Sequence, residues 1–464
     1  MKAFLLLFGF ASFFILNAIY AQDTQLQPKA WKAGVAKVVI TPKQSLWLAG
    51  YAARDHPAEG TLHDLWAKAL AVEDASGKRA VLVTTDLLGI PKKLSDRMRD
   101  RLKDEYDLSR AQILLNSSHT HTGPVLQDAL SDIYPLDGEQ LKAIAQYAAD
   151  VENKIVDLVG EALGALEPVK IYAQNGVARF QVNRRNNNEA LLHKQTELKG
   201  PNDYAVPVIK VVDEAGEVKA IAFGYACHPT VLSFYQWSGD YPGFAQIALE
   251  NRYPGATALF FQGAGADQNP LPRRTVALAQ QYGHTLAASV ESVLNEEMQE
   301  LSPQLSTAYA EIDLSLNHPP GREVLTKMVE EAPSYQKRWA ERMLGKMNRG
   351  EPFPTSYPYP LQVWQLGDQA IFSLGGELVI EYAIQLKQIF GPAIFVLGYS
   401  NDVMAYIPSA RILQEGGYEG ASSQMVYGLP GTWASDIESK IIHGMVQLAE
   451  EAGLAKVKSS VSDE

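Results

Sequence analysis

The sequence predicts an α/β fold: a mixed β-sheet core layered with α-helices, in a single large catalytic domain. Three observations predict it. "AVLVTTDL" (80–87) and "AQILLNSS" (111–118) are short apolar runs suited to buried strands, and "PKKLSDRMRDRLKDEY" between them has the apolar spacing of an amphipathic helix. A strand, helix, strand order is that of layered α/β cores. The chain has 464 residues, 46% hydrophobic and 20% charged, which suits a globular protein with a large interior. No internal repeat and no Gly/Ser linker divides it.

Taken in order, the first residues, "MKAFLLLFGFASFFILNAIYAQ", carry one positive charge at Lys2, an apolar run from Ala3 to Leu16, and a small residue at Ala21 before polar sequence. This pattern reads as a secretory signal peptide over 1–21, so the protein is expected to be exported, periplasmic or secreted. The competing reading is a retained anchor, because the uncharged stretch is nearly long enough to span a bilayer. No later segment approaches ~20 uninterrupted apolar residues, so no stable transmembrane segment is expected in the mature chain. One domain is expected over 22–455. Within it, further strands are predicted at 206–213, 220–227, 256–263, 361–376 and 393–400. Helices are predicted at 140–165, 274–297, 321–348, 378–390 and 434–452. The Pro-rich "EPFPTSYPYP" (351–360) reads as a rigid connector, and 456–464 as a frayed tail.

The formal net charge is −12, from 41 basic and 53 acidic residues. With no basic surplus to neutralise phosphates, nucleic acid and acidic lipid are excluded as partners on charge grounds. A small-molecule or lipid substrate remains. Export permits disulfides, yet Cys227 is the only cysteine and has no partner within the chain. It either packs the core or tunes its neighbour, His228.

Histidine is scarce, with nine in the chain. "NSSHTHTGP" (116–124) places His119 and His121 two positions apart after a predicted strand, and this spacing in extended backbone projects both side chains to one face. Two imidazoles there suit a metal ion, or a ligand beside a proton-transfer group. They equally suit a polar strand end with hydrogen-bonded histidines. His228, in "AFGYACHPTVLS", also ends an apolar run, where Pro229 stops the ladder. The turns "SGDYPG" and "GAGADQNP" carry Asp240 and Asp267, as substrate-binding acids or as turn-forming Asx residues. Glu377, in "SLGGELVIEY", either favours a helix N-terminus or completes a His/His/Glu set with an open coordination position. Tyr406 and Tyr418 are phenols able to donate to an oxyanion, or ordinary core and surface tyrosines.

The order of these motifs is itself informative. "NSSHTHTGP", "FQVNRR", "YACHPTVLS", "SGDYPGFA", "GAGADQNP", "GGELV", "MAYIPS" and "GYEGASS", with the upstream "LAGYAARDHPAEGTLHDLWAKALAVED" (48–74), resemble in sequence the N-terminal catalytic domain of the neutral/alkaline, non-lysosomal ceramidase family. The resemblance spans about residues 32 to 450. It implies a zinc amidase that cleaves the N-acyl bond of a ceramide-type lipid, with one Zn²⁺ per chain. It further implies that His119, His228, Glu377 and Tyr406 surround the zinc, that His121 transfers protons beside it, and that Arg184 and Tyr418 lie near the scissile amide.

Two departures bear on the substrate. Where the family carries a "GDVSPN"-type motif with an active-site serine, this chain reads "ADQNPL" (266–271), placing Asn269 at the serine's position. Asparagine cannot be a hydroxyl nucleophile. The expected nucleophile is then metal-activated water, its pKa lowered from about 15.7 towards ~7, with Asn269 positioning substrate through its amide. The family's additional C-terminal immunoglobulin-like domain is not expected in this chain, since only a short polar stretch follows residue 450. Both departures weaken ceramide as substrate more than they weaken metal hydrolysis, leaving esters, lactones and carbohydrate derivatives open, and a non-catalytic binding protein of the same fold as the remaining class.

Overall fold

The structure is a computed structural model describing residues 30–457. The signal peptide expected at 1–21 lies outside the described residues, as does all but the start of the tail expected at 456–464.

Two sheets pack face to face, each with helices on its outer side. The larger sheet runs Thr257–Gln262, Val218–Tyr225, Ala205–Asp213, Glu167–Val177, Trp31–Val39, Trp66–Glu73, Arg79–Thr85, Ile113–Ser117. The pair at each edge is parallel and the interior pairs are antiparallel, so the sheet is mixed. The smaller sheet orders Leu305–Ser315, Ser356–Leu366, Gln369–Leu374 and Phe395–Leu397. Strand alternation explains the layering. In Trp66–Glu73, Ala67, Ala69 and Ala71 join the outer helical cluster, whereas Leu70 and Val72 join the cluster shared with Trp364, Ile371 and Leu397 of the smaller sheet.

The helices cover what the strands leave apolar. Gly138–Gly164 starts at a capping box between Asp137 and Gln140 and buries Ile144, Ala148, Val151, Ile155, Val159 and Ala162, a stripe at three- and four-residue spacing. It approaches Trp31–Val39 so closely that a Cβ on Gly34 would meet the Ala162 carbonyl oxygen at 2.1 Å. Asp240–Arg252 and Val276–Leu294 cover the other end of the larger sheet, and Ile380–Phe390 with Ile437–Glu451 cover the smaller one.

The expected α/β architecture is the observed one, with differences of detail that have local causes. The helix expected over 321–348 is two, Arg322–Glu331 and Ser334–Arg349, because Pro333 interrupts the hydrogen-bond ladder. The run 361–376 is a hairpin that turns at Gly367, whose φ of 56° is left-handed. The Pro-rich 351–360 is only partly a connector. Residues from Ser356 onward are strand, and Pro358 and Pro360 lie before the stretch that pairs with Gln369–Leu374, so one side of each needs no N–H donor. Strands Trp31–Val39, Trp66–Glu73, Glu167–Val177 and Leu305–Ser315 were not expected, nor was the helix Asp240–Arg252, whose first turn holds a proline and a glycine.

The two edges of the larger sheet meet. Asn116 Nδ2 donates to the carbonyls of Gln262 and Gly398, and Asn116 Oδ1 accepts from the Gln262 N–H at 2.8 Å. Accumulated twist brings the last strand round to the first. The chain segments leaving Ile113–Ser117, Val218–Tyr225, Thr257–Gln262 and Gln369–Leu374 therefore open into one place.

Candidate metal centre

Those four segments carry His119, His228, Asp267 and Glu377. His119 Nδ1 lies 2.5 Å from the Leu88 carbonyl and His228 Nδ1 lies 2.8 Å from that of Gly265. A carbonyl only accepts, so each Nδ1 carries the proton and each Nε2 presents a lone pair. Both lone pairs face one oxygen: Glu377 Oε2 is 3.3 Å from His119 Nε2 and 3.1 Å from His228 Nε2. The other carboxylate oxygen, Oε1, accepts from the Tyr427 hydroxyl at 2.5 Å.

His121 completes a buried trio. Its Nε2 lies 3.2 Å from that of His119, and ligand atoms of His119, His121 and His228 all fall within 4.8 Å of one another, a cluster that could hold a metal ion. The two histidines of the H-x-H motif do meet, though not as alternate residues of a strand. The strand ends at Ser117, and His119 adopts a left-handed φ of 64°. Tyr399, packed on the His119 ring at 4.5 Å, and Asn401 are left-handed as well, at 51° and 66°. Such strain at roughly 1–3 kcal/mol per residue is held only where surrounding structure over-determines it. Arg54 supplies part of that support: its buried guanidinium donates to the carbonyls of Ala49 and His121 at 2.7 and 2.8 Å. Gly50 is required beside it, since a Cβ there would meet His121 Nδ1 at 2.4 Å.

Electrostatics agree with this geometry. Burial lowers the pKa of His228 to about 4 and, helped by the neighbouring imidazoles, puts that of His121 well below the ordinary value, so both rings are neutral at pH 7. Burial opposes ionisation of Glu377, and the lowering of its carboxyl well below the usual range rests on positive charge and donors at the His119 and His228 side of Oε2; with both Nδ1 protons on carbonyls, a bound cation would supply that positive charge. With Nδ1 of each ring donating to a carbonyl, the Nε2 lone pairs of His119 and His228 and the Glu377 carboxylate face each other at 3.1–3.3 Å and repel unless a cation lies among them. His228 Nε2 and Glu377 Oε2 also have no hydrogen-bond partner. The residues fit a divalent metal ion.

Tyr406 stands opposite Glu377 in a short parallel pairing, its ring stacked on His228 at 6.4 Å. Arg184 Nη2 donates to the Tyr406 hydroxyl at 3.1 Å, and its Nε to Glu419 Oε1 at 2.8 Å. The same guanidinium lies 5.9 Å from the Tyr418 ring. Tyr406 and Tyr418 border a cavity with His119, His121 and Glu377, walled by Leu88, Leu130, Ile133 and Val426.

The two aspartates are braces. Asp267 accepts from the Ile380 N–H at 3.0 Å and from Asn183 Nδ2 at 2.8 Å, while its carbonyl accepts from the Arg184 N–H at 2.8 Å. It thus ties the Arg184 and Glu377 segments together. Asp240, fully buried with its pKa pushed up to about 7 by burial, accepts from the N–H groups of Leu232 and Tyr241. Asn269 is 4% exposed, and its Oδ1 has no partner. It borders a second, open cleft that also reaches Arg184 and Tyr418. Cys227 is buried and unpaired, its thiol pushed up by burial. Tyr427 lies in none of the quoted motifs; Arg54 lay within the 48–74 stretch and Glu419 within the "GYEGASS" motif, neither being singled out.

Residues 31–305 match the family described as neutral/alkaline non-lysosomal ceramidase, N-terminal. Among curated proteins, the neutral ceramidase of Pseudomonas aeruginosa is 28% identical over 255 residues, which is 52% of this chain and 37% of that one. The neutral ceramidase of Oryza sativa subsp. japonica is 29% identical over 239 residues, 49% of this chain and 29% of that one. The matches thus span about a third of those longer proteins. The crystal structure of the Pseudomonas aeruginosa neutral ceramidase shares the fold, with a TM-score of 0.71 at 18% identity over 94% of this chain and 76% of that one. A ceramidase complexed with C2 also has a TM-score of 0.71, at 16% identity over 94% and 77% of the two chains. With the family's pattern running through residues 31–305, more than half of its length, the chain belongs to the neutral/alkaline non-lysosomal ceramidase family.

Proposed function

We propose that the protein is an exported, zinc-dependent hydrolase that cleaves an amide or related acyl bond, with one zinc per chain. The observation that carries the reading is the convergence of His119 Nε2 and His228 Nε2 on the single oxygen Glu377 Oε2, with both Nδ1 atoms tied to carbonyls. His119, His228 and Glu377 would hold the cation, with Tyr406 beside them. When bound, the cation supplies a Lewis acid that polarises a carbonyl and makes water acidic enough to attack at neutral pH.

The remaining work falls to the chain's own side chains. His121 takes the proton of the attacking water at Nε2 and returns it to the leaving group. The Tyr406 oxygen already accepts from Arg184, which leaves its own proton free to donate to the developing oxyanion. Arg184 and Tyr418 supply further donors, and losing one such donor costs roughly 2.7–4 kcal/mol of transition-state stabilisation. Asn269 positions substrate through its amide, while Asp240 and Asp267 contribute to substrate binding by holding the loops around it. The relatives named neutral ceramidases make an N-acyl sphingoid lipid one candidate substrate.

Metal analysis of the purified protein, with hydrolysis of p-nitrophenyl acetate and a short-chain ceramide before and after chelation, tests the reading. His119→Ala is expected to lose both zinc and turnover, and His121→Ala to keep zinc and lose turnover. Full zinc content and activity in His119→Ala would overturn the ligand assignment.

A further inference from the structure

We propose that the open cleft bordering the metal cavity is the leaving-group subsite for a polyhydroxylated substrate, an N-acylated amino sugar, rather than for a sphingoid chain. This rests on the hydrolase reading above and deepens it. The cleft is open to solvent and shares Tyr418 with the metal cavity, so the two spaces adjoin at that residue. Its backbone position is fixed from both sides: the N–H of His228 donates to the Gln268 carbonyl and that of Arg184 to the Asp267 carbonyl, and Asn269 follows next in the chain.

The lining decides the chemistry. Asn186, Asn188 and Asn269 present amides, and the only apolar side chains are Leu271 and the Tyr418 ring. The three guanidinium groups of the lining are ion-paired: Arg184 and Arg185 share Glu419 at 2.8 and 2.6 Å, Arg185 also meets Glu415 at 2.7 Å, and Arg273 pairs with Glu189 at 2.9 Å. With its guanidinium groups paired, the wall offers donors and acceptors together rather than an unmatched cation. Asn186 and Asn188, exposed at the wall, and Asn269, whose Oδ1 has no partner among the described residues, supply amide donors and acceptors beside the paired guanidinium groups. Hydroxyl groups meet both. An alkyl chain would strip water from these groups and return no hydrogen bond, the mismatch by which a polar site rejects an apolar analogue about 10⁴–10⁵-fold. Tyr418, 43% exposed, adds a ring face for the C–H face of a sugar. The acyl part then occupies the metal cavity, whose enclosed walls of Leu88, Leu130, Ile133 and Val426 fit a short chain.

The reaction is simple hydrolysis. The amide C–N bond breaks, the oxygen of water bonds to the carbonyl carbon, and the water proton goes to the departing nitrogen, giving a carboxylic acid and a free amino sugar.

The test compares N-acetylglucosamine and its β-linked oligomers, N-acetylglycine and N-palmitoylsphingosine with the zinc-loaded enzyme. The sugars are expected to show a kcat/KM at least 100-fold above the lipid. Asn269→Leu should raise KM for the sugar at least tenfold with kcat changed less than threefold. The milder Asn186→Ala, at an exposed position, should raise it about threefold. Calorimetric titration of the chelated protein with the same sugars reads the cleft without chemistry, and binding there should weaken at least tenfold in Asn269→Leu. Preference for the lipid or for N-acetylglycine, absence of sugar binding, or an Asn269→Leu effect on kcat alone would overturn the proposal. Failure to hydrolyse p-nitrophenyl acetate would instead count against the hydrolase reading, while sugar binding to the chelated protein would still support the cleft assignment.

Discussion

Replacing Tyr427 with Phe isolates one hydrogen bond of the candidate metal centre. Among the described residues, its hydroxyl is the sole side-chain donor to Glu377 Oε1, at 2.5 Å, while Oε2 faces the two imidazoles. The exchange keeps the ring and leaves no cavity to speak of, so packing changes little. Glu377 is 3% exposed, and water cannot readily replace the lost donor. A hydrogen bond to a charged group is worth about 1.5–3 kcal/mol. A change in a group that orients a metal ligand typically weakens metal affinity by 10–100-fold, which is about 1.4–2.8 kcal/mol at 1.4 kcal/mol per decade. The two routes agree, so Tyr427→Phe is expected to bind zinc 10- to 100-fold more weakly, measured by competition against a chelator of known affinity. An affinity within twofold of the unmodified protein would refute the reasoning and would mean that the backbone pairing of Glu377 with Tyr406 alone fixes the carboxylate.

Other outcomes follow from the same structure. Arg54→Met leaves the Ala49 and His121 carbonyls without their donor, and urea denaturation is expected to show a loss of about 2–6 kcal/mol, at roughly 1–3 kcal/mol for each of the two unmet buried groups; zinc binding should persist, while turnover falls with the anchoring of His121. Asp402 is buried with its pKa pushed up to about 7, above the 3.8 of an ordinary aspartate, so the stability from its protonated form is full below pH 3.8 and lost as pH rises through 7. Asp402→Asn keeps the acceptor for the Tyr357 hydroxyl and removes that loss. Its stability relative to the unmodified protein should therefore climb between pH 4 and 7, by up to about 4 kcal/mol at 1.36 kcal/mol per unit, and a pH-independent difference would refute the assignment. Zinc at about 100 times its dissociation constant should stabilise the fold by roughly 2.7 kcal/mol, read as a melting temperature that rises with the logarithm of zinc concentration; a melting temperature indifferent to zinc would contradict a folded-state site.

Much of the candidate centre was legible because each strand end is punctuated in the sequence. His119, His228 and Glu377 follow apolar runs and sit beside residues that halt a ladder or turn the chain, namely Gly123–Pro124, Pro229 and the Gly375–Gly376 pair. Such signals are local. Tyr427 and Arg54 lack them because what they do is defined by distant partners: Tyr427 is 50 positions from Glu377, and Arg54 is 67 from His121. The polar cleft was illegible for a similar reason, since "NRRNNNE" reads as any solvated loop until Asn269, more than 80 positions later, is set beside it. Strands such as Glu167–Val177 were hidden by their own composition, a lysine, a glutamine, an asparagine and a glycine spread over an alternating burial pattern.

The H-x-H motif shows how a correct outcome can rest on a different geometry. Alternation along an extended strand would set two imidazoles side by side at about the spacing of alternate residues, pointing the same way. In the structure the strand has already ended, and a left-handed His119 turns its ring onto the Leu88 carbonyl while His121 folds back to within 3.2 Å of it. A strand would have delivered two parallel ligands to one face. The turn delivers one ring locked by its Nδ1 and one whose Nδ1 has no partner. That asymmetry is what divides the pair into a fixed ligand and a ring free to exchange a proton, and it depends on the backbone strain at His119 being held by the Tyr399 ring and the sheet edges closing behind it.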